Sequence, residues 1–501
     1  MVRSPRRGQL PERPSKAGAP SLSRLRPDSW LPYGTAGAAA AFFAAIAIYR
    51  HDRFATGGYD LGIFDQTIWG YSRFHIIRNT VKGVPDLLGD HFHPALMALA
   101  PLYWIWNDAR VLLVAQAILI AVASVPISWW GRTRLGARAG LCVQCAFLVF
   151  WGVLAGVVFD FHELALAAPA IAFGVYALLE RRTWLFWSML VVGCLAKEDI
   201  ALTFAAMGVY AIVAQRRLPF GLAVVSTGVG WFSAALFLII PAIAGHPYAY
   251  WNYPALGPTP AKALLALVER PYRALALLVD RPEKRATLAQ LFGAWLFLPL
   301  ASPLLLIAVP SIAERFWANN PSLWSTSFQY TLPVSPILAF ATIDALHRIR
   351  RRRPTNIRLT GRLLPLAAAG CSLVLTLAVA RPLAPLLGYM SAERAAATDS
   401  CLDTIPAEAS VAASSHLIPH LTHRADISPL YRSRNAQYLA VAGSSRSVAR
   451  TLRAGDVKSA PAPLGAWYRL VCRSGDATVL ERQPGGARVS ATSLVAIRSG
   501  R

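Results

Sequence analysis

The amino-acid sequence predicts an all-α, polytopic membrane protein of about eleven transmembrane helices, followed by a small α/β domain outside the bilayer. Three observations predict it. Of 501 residues, 55% are hydrophobic and only 15% charged, whereas an ordinary globular chain carries about 25% charged residues. Apolar runs such as 111–127 and 219–244 are too long and too numerous for a soluble core to hide. The breaks between them alternate between arginine-rich and acidic, as loops on opposite faces of a membrane do.

The net charge is +24, from 50 basic and 26 acidic residues. Six of the basic residues are Lys, so Arg supplies forty-four. A basic excess can mark a nucleic-acid partner. Here the arginines stand at the ends of apolar segments, where the positive-inside rule accounts for them. The partner this charge implies is a lipid bilayer, and no nucleic acid is expected. Cys142, Cys145, Cys194 and Cys371 fall inside apolar segments and read as small core residues.

Residues 1–32 hold seven basic and two acidic residues among scattered Pro and Ser, the composition of a disordered cytoplasmic tail. Residues 36–49 form the first apolar segment. No small-residue cleavage site follows before Arg50, so it reads as an uncleaved helix with its N-terminus inside. The multi-helix domain is expected over 33–381, with external loops at 50–108 and 245–288. Further segments lie near 109–130, 140–159, 163–180, 183–196, 199–214 and 219–244. Arg132, Arg134 and Arg138, then Arg181 and Arg182, then Arg216 and Arg217 mark the inner side. Asp160, His162 and Glu163, and then Lys197, Glu198 and Asp199, fall outside.

Parity then constrains the rest. Arg348 and Arg350–Arg353 belong inside, preceded by a segment at 331–346. Pro299 and Pro303 divide the stretch before it into two short helices, 286–300 and 302–312. A last segment at 363–380 leads outside, to an extracytoplasmic soluble domain over 382–501, where alternating stretches are punctuated by Gly and Pro. Its cysteines, Cys401 and Cys472, face an oxidising compartment; a disulfide between them and two free thiols are both open.

Four polar clusters carry the chemistry. The first is Asp60 and Asp65, in an otherwise apolar and aromatic stretch. Five residues on a helix turn about 140° past a full turn, so the two carboxylates do not share a face. Asp60, after Gly57 and Gly58, also suits a helix N-cap. The second cluster is Asp90, His91 and His93, whose alternatives are metal ligation, phosphate binding or simple capping. The third is Asp160, His162 and Glu163, and the fourth Lys197, Glu198 and Asp199. Each can be a charged helix end. Together, on one predicted face, they suit proton abstraction or a diphosphate or metal site.

Tyr59-Asp60-Leu61-Gly62-Ile63-Phe64-Asp65-Gln66-Thr67-Ile68-Trp69, the Leu88–Pro94 run LGDHFHP and the segment LAKEDIAL at 195–202 carry a resemblance. They look like the bacterial membrane-protein family catalogued as domain of unknown function 2079. The resemblance runs over about 40–345, more weakly through 406–424. The order of basic tail, helix, external loop with an early Asp, many helices and external C-terminal domain resembles the GT-C superfamily of membrane glycosyltransferases.

That resemblance implies a GT-C-like fold in the bacterial cytoplasmic membrane. It also implies transfer of a sugar from a polyprenyl-phosphate donor to an envelope glycan or protein acceptor on the external face. The GT-C catalytic Asp of the first external loop maps best onto Asp60, with Asp65 next. The adjacent acidic pair of that loop is absent, since Leu61 follows Asp60, and Phe328-Gln329-Tyr330 stands where relatives often carry His-Tyr.

Lys197, Arg273 and Arg53 are candidates to offset the donor phosphate, and Asp90, His91, His93, His162, Glu163, Lys197, Glu198 and Asp199 form the donor-phosphate or metal neighbourhood. No cofactor is identified; a divalent metal at Asp90, His91 or Glu198 stays open. Tyr250, Trp251 and Tyr253, with Tyr330, are the acceptor-side aromatics, or else an interfacial belt. A secondary transporter or flippase, and a non-catalytic envelope scaffold, are the competing functional classes.

Overall fold

A computed structural model describes residues 30–352, 358–379, 390–432, 436–443 and 468–483. The tail expected at 1–32 lies almost wholly outside the described residues, as does the chain beyond 483.

Helix α1 spans Leu31–Asp52, and the segment after it is far from structureless. It holds α2 (Ile63–Ser72) and a 3-10 stretch over Pro94–Trp104, with Pro101 inside it. Next come α3 (Arg110–Val122), α4 (Ser124–Leu135), α5 (Ala137–Leu148), α6 (Trp151–Val158) and α7 (Leu164–Leu179). They are followed by α8 (Thr183–Ala196), α9 (Ile200–Val213), α10 (Leu218–Ala234) and α11 (Ile240–Ala244). The loop after these carries α12 (Pro260–Glu269) and α13 (Pro271–Leu277). Then come α14 (Pro282–Gly293), α15 (Val309–Trp317), α16 (Pro321–Trp324), α17 (Ser335–Arg352) and α18 (Leu364–Val379).

The apolar stretches read from the sequence are wholly or partly helical. Their lengths differ in a way that matters. Among the described residues four continuous helices are long and apolar enough to cross a bilayer: Leu31–Asp52, Arg110–Leu135, Leu218–Ala244 and Leu359–Val379. The pair α5 and α6, bent by 45°, makes a fifth if it is one span. Helices α8 and α9 have 14 residues each, a rise of about 21 Å against a hydrocarbon core of about 30 Å. The broken stretch around Pro299 and Pro303 is marked by consecutive left-handed residues, Leu296 and Phe297.

The helix Arg110–Leu135 is central, with 78% of its apolar window buried; the windows of α1 and α10 are 28% buried and that of α18 is 22%. The outer helices show Leu222, Phe237 and Leu238, and Leu366, Val374 and Leu377, as a lipid-facing surface would. In lipid the contact between helices comes from close packing more than from burial. Helices α9 and α10 show this: a Cβ placed on Gly208 would lie 2.8 Å from the Gly221 carbonyl oxygen.

At one end of the bundle, Arg132, Arg134, Arg350 and Arg351 gather around a common hollow with His347. At the other end stand the acidic loops and a small domain. Among the described residues that domain holds α19 (Ala392–Leu402) and five strands, β1 (Val411–Ala413), β2 (Ile427–Pro429), β3 (Tyr438–Ala442), β4 (Tyr468–Ser474) and β5 (Ala477–Arg482). The sheet order is β2-β1-β3-β5-β4. Strand β1 pairs in parallel with β2 and β3, while β5 is antiparallel to β3 and β4. Cys401 on α19 and Cys472 on β4 form a disulfide, with their Cα atoms 5.7 Å apart.

Candidate active site

The segment after α1 is built to hold one carboxylate in an unusual place. Gly57 and Tyr59 are extended, and Asp60 then takes φ 75° and ψ −88° before α2 begins. A non-glycine residue there is strained by about 1–3 kcal/mol and persists only where its surroundings dictate it. The capping role open to Asp60 is not taken, since the N-cap positions here are Gly57 and Gly62. One support comes from Asp160, whose Oδ2 accepts the Gly57 N–H at 2.7 Å. Gln116, buried on α3, anchors that turn in its own right. Its amide donates to the Gly156 and Asp160 carbonyls, and its Oε1 accepts the His162 N–H at 3.0 Å.

Asp60 opens onto a cavity of about 420 Å³ at the acidic end of the bundle. The third and fourth clusters face it from the starts of α7 and α9. His162 Nδ1 lies 2.8 Å from Glu163 Oε2, and Lys197 Nζ lies 3.4 Å from Glu163 Oε1 and 3.7 Å from Asp199 Oδ2. The second cluster forms another wall. Glu198 Oε1 is 2.6 Å from His91 Nδ1, and Glu198 Oε2 accepts the Phe92 N–H at 3.1 Å. Asp90 pairs with Lys82 at 3.2 Å and accepts a hydrogen bond from Tyr250. The His91 ring stacks on Tyr250, centroids 4.8 Å apart.

The electrostatics separate these acids. Burial pushes the Asp60 carboxyl above its usual range; His162 opposes the rise, Glu163 adds to it, and Lys82 and Lys197 oppose it. Burial would raise Glu163 too, but His162 and Lys197 hold it well below the usual range. Burial would lower Lys197, yet Asp199 and Glu163 keep its ammonium charged. Burial lifts Asp160 to about 7, against the Gly57 N–H and Arg50. His93 falls to about 4, chiefly through burial, and its Nδ1 has no hydrogen-bond partner. The cavity thus joins a carboxyl of raised pKa to one held low beside a lysine.

Of the residues singled out from the sequence, Asp60, Asp90, His91, His93, His162, Glu163, Lys197 and Asp199 line this cavity, with Tyr250, Tyr253 and Tyr330. Glu198 stands behind His91. Asp65 lies away from the cavity. It is fully buried, accepting from Tyr103 OH at 2.5 Å and from Thr422, with His423 Nε2 at 3.2 Å. Trp251 also turns away, its indole donating to the Gly257 carbonyl at 2.8 Å. Arg53 is occupied by the Met390 carbonyl at 2.9 Å, and Arg273 on α13 is not in the lining. Among the described residues, no three His, Cys, Asp or Glu side chains are grouped to hold a metal ion.

Lys82, Glu314 and Arg315 also line the cavity, and sequence reasoning missed them. Arg315 is buried, with Nη1 unpartnered. The available signal was rarity: Lys82 and Lys197 are two of only six lysines, and Glu314-Arg315 interrupts an apolar stretch.

Helices with outward apolar faces and a polar cavity at one end of them are the architecture of an integral-membrane protein. The chain belongs to the family described as "Predicted membrane protein (DUF2079)", whose model matches residues 50–447. Its fold is similar to that of ArnT from Cupriavidus metallidurans bound to undecaprenyl phosphate, with a TM-score of 0.55 at 13% identity. That match covers 92% of this chain and 99% of ArnT. The apo structure of the same protein aligns with a TM-score of 0.51 at 14% identity, covering 89% and 98%. No curated protein matches the sequence.

Proposed function

We propose that this chain is a membrane glycosyltransferase that moves a sugar from a polyprenyl-phosphate donor to an envelope acceptor. In this reading Asp60 is the general base. About eleven crossings put the N-terminus inside and the cavity and sheet domain outside, in the bacterial cytoplasmic membrane. The observation that carries the reading is Asp60 itself: a strained, desolvated carboxylate in a cavity that also holds Lys82, Lys197 and Arg315. The ArnT-like fold, seen there with undecaprenyl phosphate bound, supports a polyprenyl donor.

The chemistry balances with the groups present. Asp60 takes the proton of an acceptor hydroxyl as its oxygen bonds to the sugar's anomeric carbon. The bond from that carbon to the donor phosphate oxygen breaks, and the polyprenyl phosphate leaves with the electron pair. Lys82, Lys197 and Arg315 offset the growing phosphate charge in a site of low dielectric. Tyr250, Tyr253 and Tyr330 line the cavity as aromatic partners for the sugar.

The test is an in vitro transfer assay on the purified protein in nanodiscs, with polyprenyl-phosphate sugars as donors, beside a comparison of envelope glycans with and without the gene. Asp60→Asn is expected to abolish transfer while the protein stays in the membrane; full activity in that variant removes Asp60 as base. A carrier is the second reading, favoured by the helix break at Leu296–Phe297 and the bent α5–α6 pair. Labelling decides between them: in a carrier, the accessibility of position 60 alternates between the two sides of the membrane.

A further inference from the structure

The three cavity residues Tyr59, Asp60 and Lys82 belong to a segment that the membrane helices grip only in part. Its outer face is held from the C-terminal domain. The Gly58 N–H donates to the Ser415 carbonyl at 2.8 Å and approaches Ser415 Oγ at 3.2 Å. Ile418, buried, packs against the Asp60 turn from behind. A Cβ on Gly58 would meet Ile418 Cδ1 at 2.6 Å, and one on Gly62 would meet Ile418 Cγ2 at 2.8 Å. Those distances are shorter than real Cβ contacts, so a side chain at either position forces Ile418 or the turn to shift.

The grip continues along the chain. Thr80 donates to the Ile427 carbonyl at 2.6 Å and accepts the Ile427 N–H at 3.0 Å, two residues before Lys82. Tyr59 OH meets Tyr431 OH at 3.0 Å, and Arg432 donates to the Val81 carbonyl at 3.3 Å. Asp65, in the first turn of α2, closes the arrangement through Thr422 and His423. Trp69 then stacks on His423, centroids 5.5 Å apart.

We propose that the C-terminal domain is a positioning element of the active site. Ser415 and Ile418 hold the turn that aims Asp60, and Asp65 is a positioning residue that locks the domain through Thr422. The inference rests on Asp60 being the base. It assigns the domain a part in turnover and none in acceptor binding. Asp65 acts on the reaction only through the turn, having no wall of the cavity to itself.

The experiment uses the full chain in nanodiscs and two readouts, steady-state transfer and amide hydrogen exchange over residues 55–64. Gly62→Ala pushes Ile418 away. It is expected to lower kcat at least tenfold with KM within twofold, and to speed exchange over 55–64 at least tenfold. Adding Ile418→Ala removes the clash and should return both to within threefold of the parent. A Gly62→Ala protein with parental kcat and exchange overturns the proposal, as does a double variant no better than the single one. Should Gly62→Ala fail to yield folded protein, Thr422→Val against Thr422→Ser decides. The Val variant is expected to lose at least fivefold in kcat and the Ser variant less than twofold; equal behaviour overturns the proposal. A parent protein without transfer activity refutes the glycosyltransferase reading alone, because hydrogen exchange still tests the positioning.

Discussion

Lys197 Nζ lies 3.4 Å from Glu163 Oε1, joining the α8–α9 turn to the start of α7 across the cavity wall. Both side chains are almost entirely buried. Removing one partner of a buried pair destabilises by up to about 3–5 kcal/mol, less here because His162 still faces Glu163 and Asp199 still faces Lys197. Lys197→Met should therefore lower the melting temperature in detergent and also abolish transfer. The double change Lys197→Met with Glu163→Gln should recover most of the melting temperature and none of the transfer. That split, read by thermal unfolding and by product formation, separates the structural from the catalytic use of the lysine.

Asp60 must be ionised to act as a base, and burial raises its pKa. Activity should therefore fall on acidification through a limb above the ordinary aspartate value of about 4. Lys82 opposes that rise. Lys82→Met should move the acid limb of kcat/KM to higher pH, as a pH–rate profile measures. A limb that stays in place in Lys82→Met argues that another group titrates there.

Gln116 satisfies three backbone groups, the carbonyls of Gly156 and Asp160 and the N–H of His162. A buried polar group left unpaired costs about 1–3 kcal/mol. Gln116→Leu should destabilise by at least that amount and reduce transfer, since the Asp160 turn supports Gly57. Gln116→Glu should be milder toward His162, because Oε1 is retained. Thermal melts and initial rates on the two variants check the order.

The Cys401–Cys472 bridge closes a loop between residues 71 apart in sequence, tying α19 to the edge strand β4. Disulfides of this kind stabilise by about 2–4 kcal/mol. Paired Cys401→Ser and Cys472→Ser changes should speed hydrogen exchange across β4 and β5 while leaving α3 and α7 untouched. Parental exchange in β4 and β5 would show that the strands hold without the bridge.

Much of the fold was legible in the residues. The stretch expected at 183–196 is a helix with those bounds, and 163–180 and 199–214 differ from α7 and α9 by one residue at each end. Apolar run length and arginine breaks are local properties, so they survive without tertiary knowledge. The segment 286–312 was harder. Its prolines announced a break, but the pair of left-handed residues at Leu296 and Phe297 has no compositional signal. The loop expected at 50–108 proved to contain α2 and a 3-10 helix, because its aromatic and apolar side chains bury against the bundle.

By itself the sequence determined that the chain belongs in a membrane and that its scarce acids cluster at particular helix ends. Hydrophobicity and charge act on each segment separately, and a bilayer sorts them by composition alone. Only the tertiary structure decided between Asp60 and Asp65. Their spacing said that they face apart, yet which one meets the cavity depends on a positive-φ turn. That turn is held by Ser415 and Ile418, more than three hundred residues along the chain. Lys82, Glu314 and Arg315 entered the cavity for the same reason: convergence is a property of packing, and no local pattern encodes it.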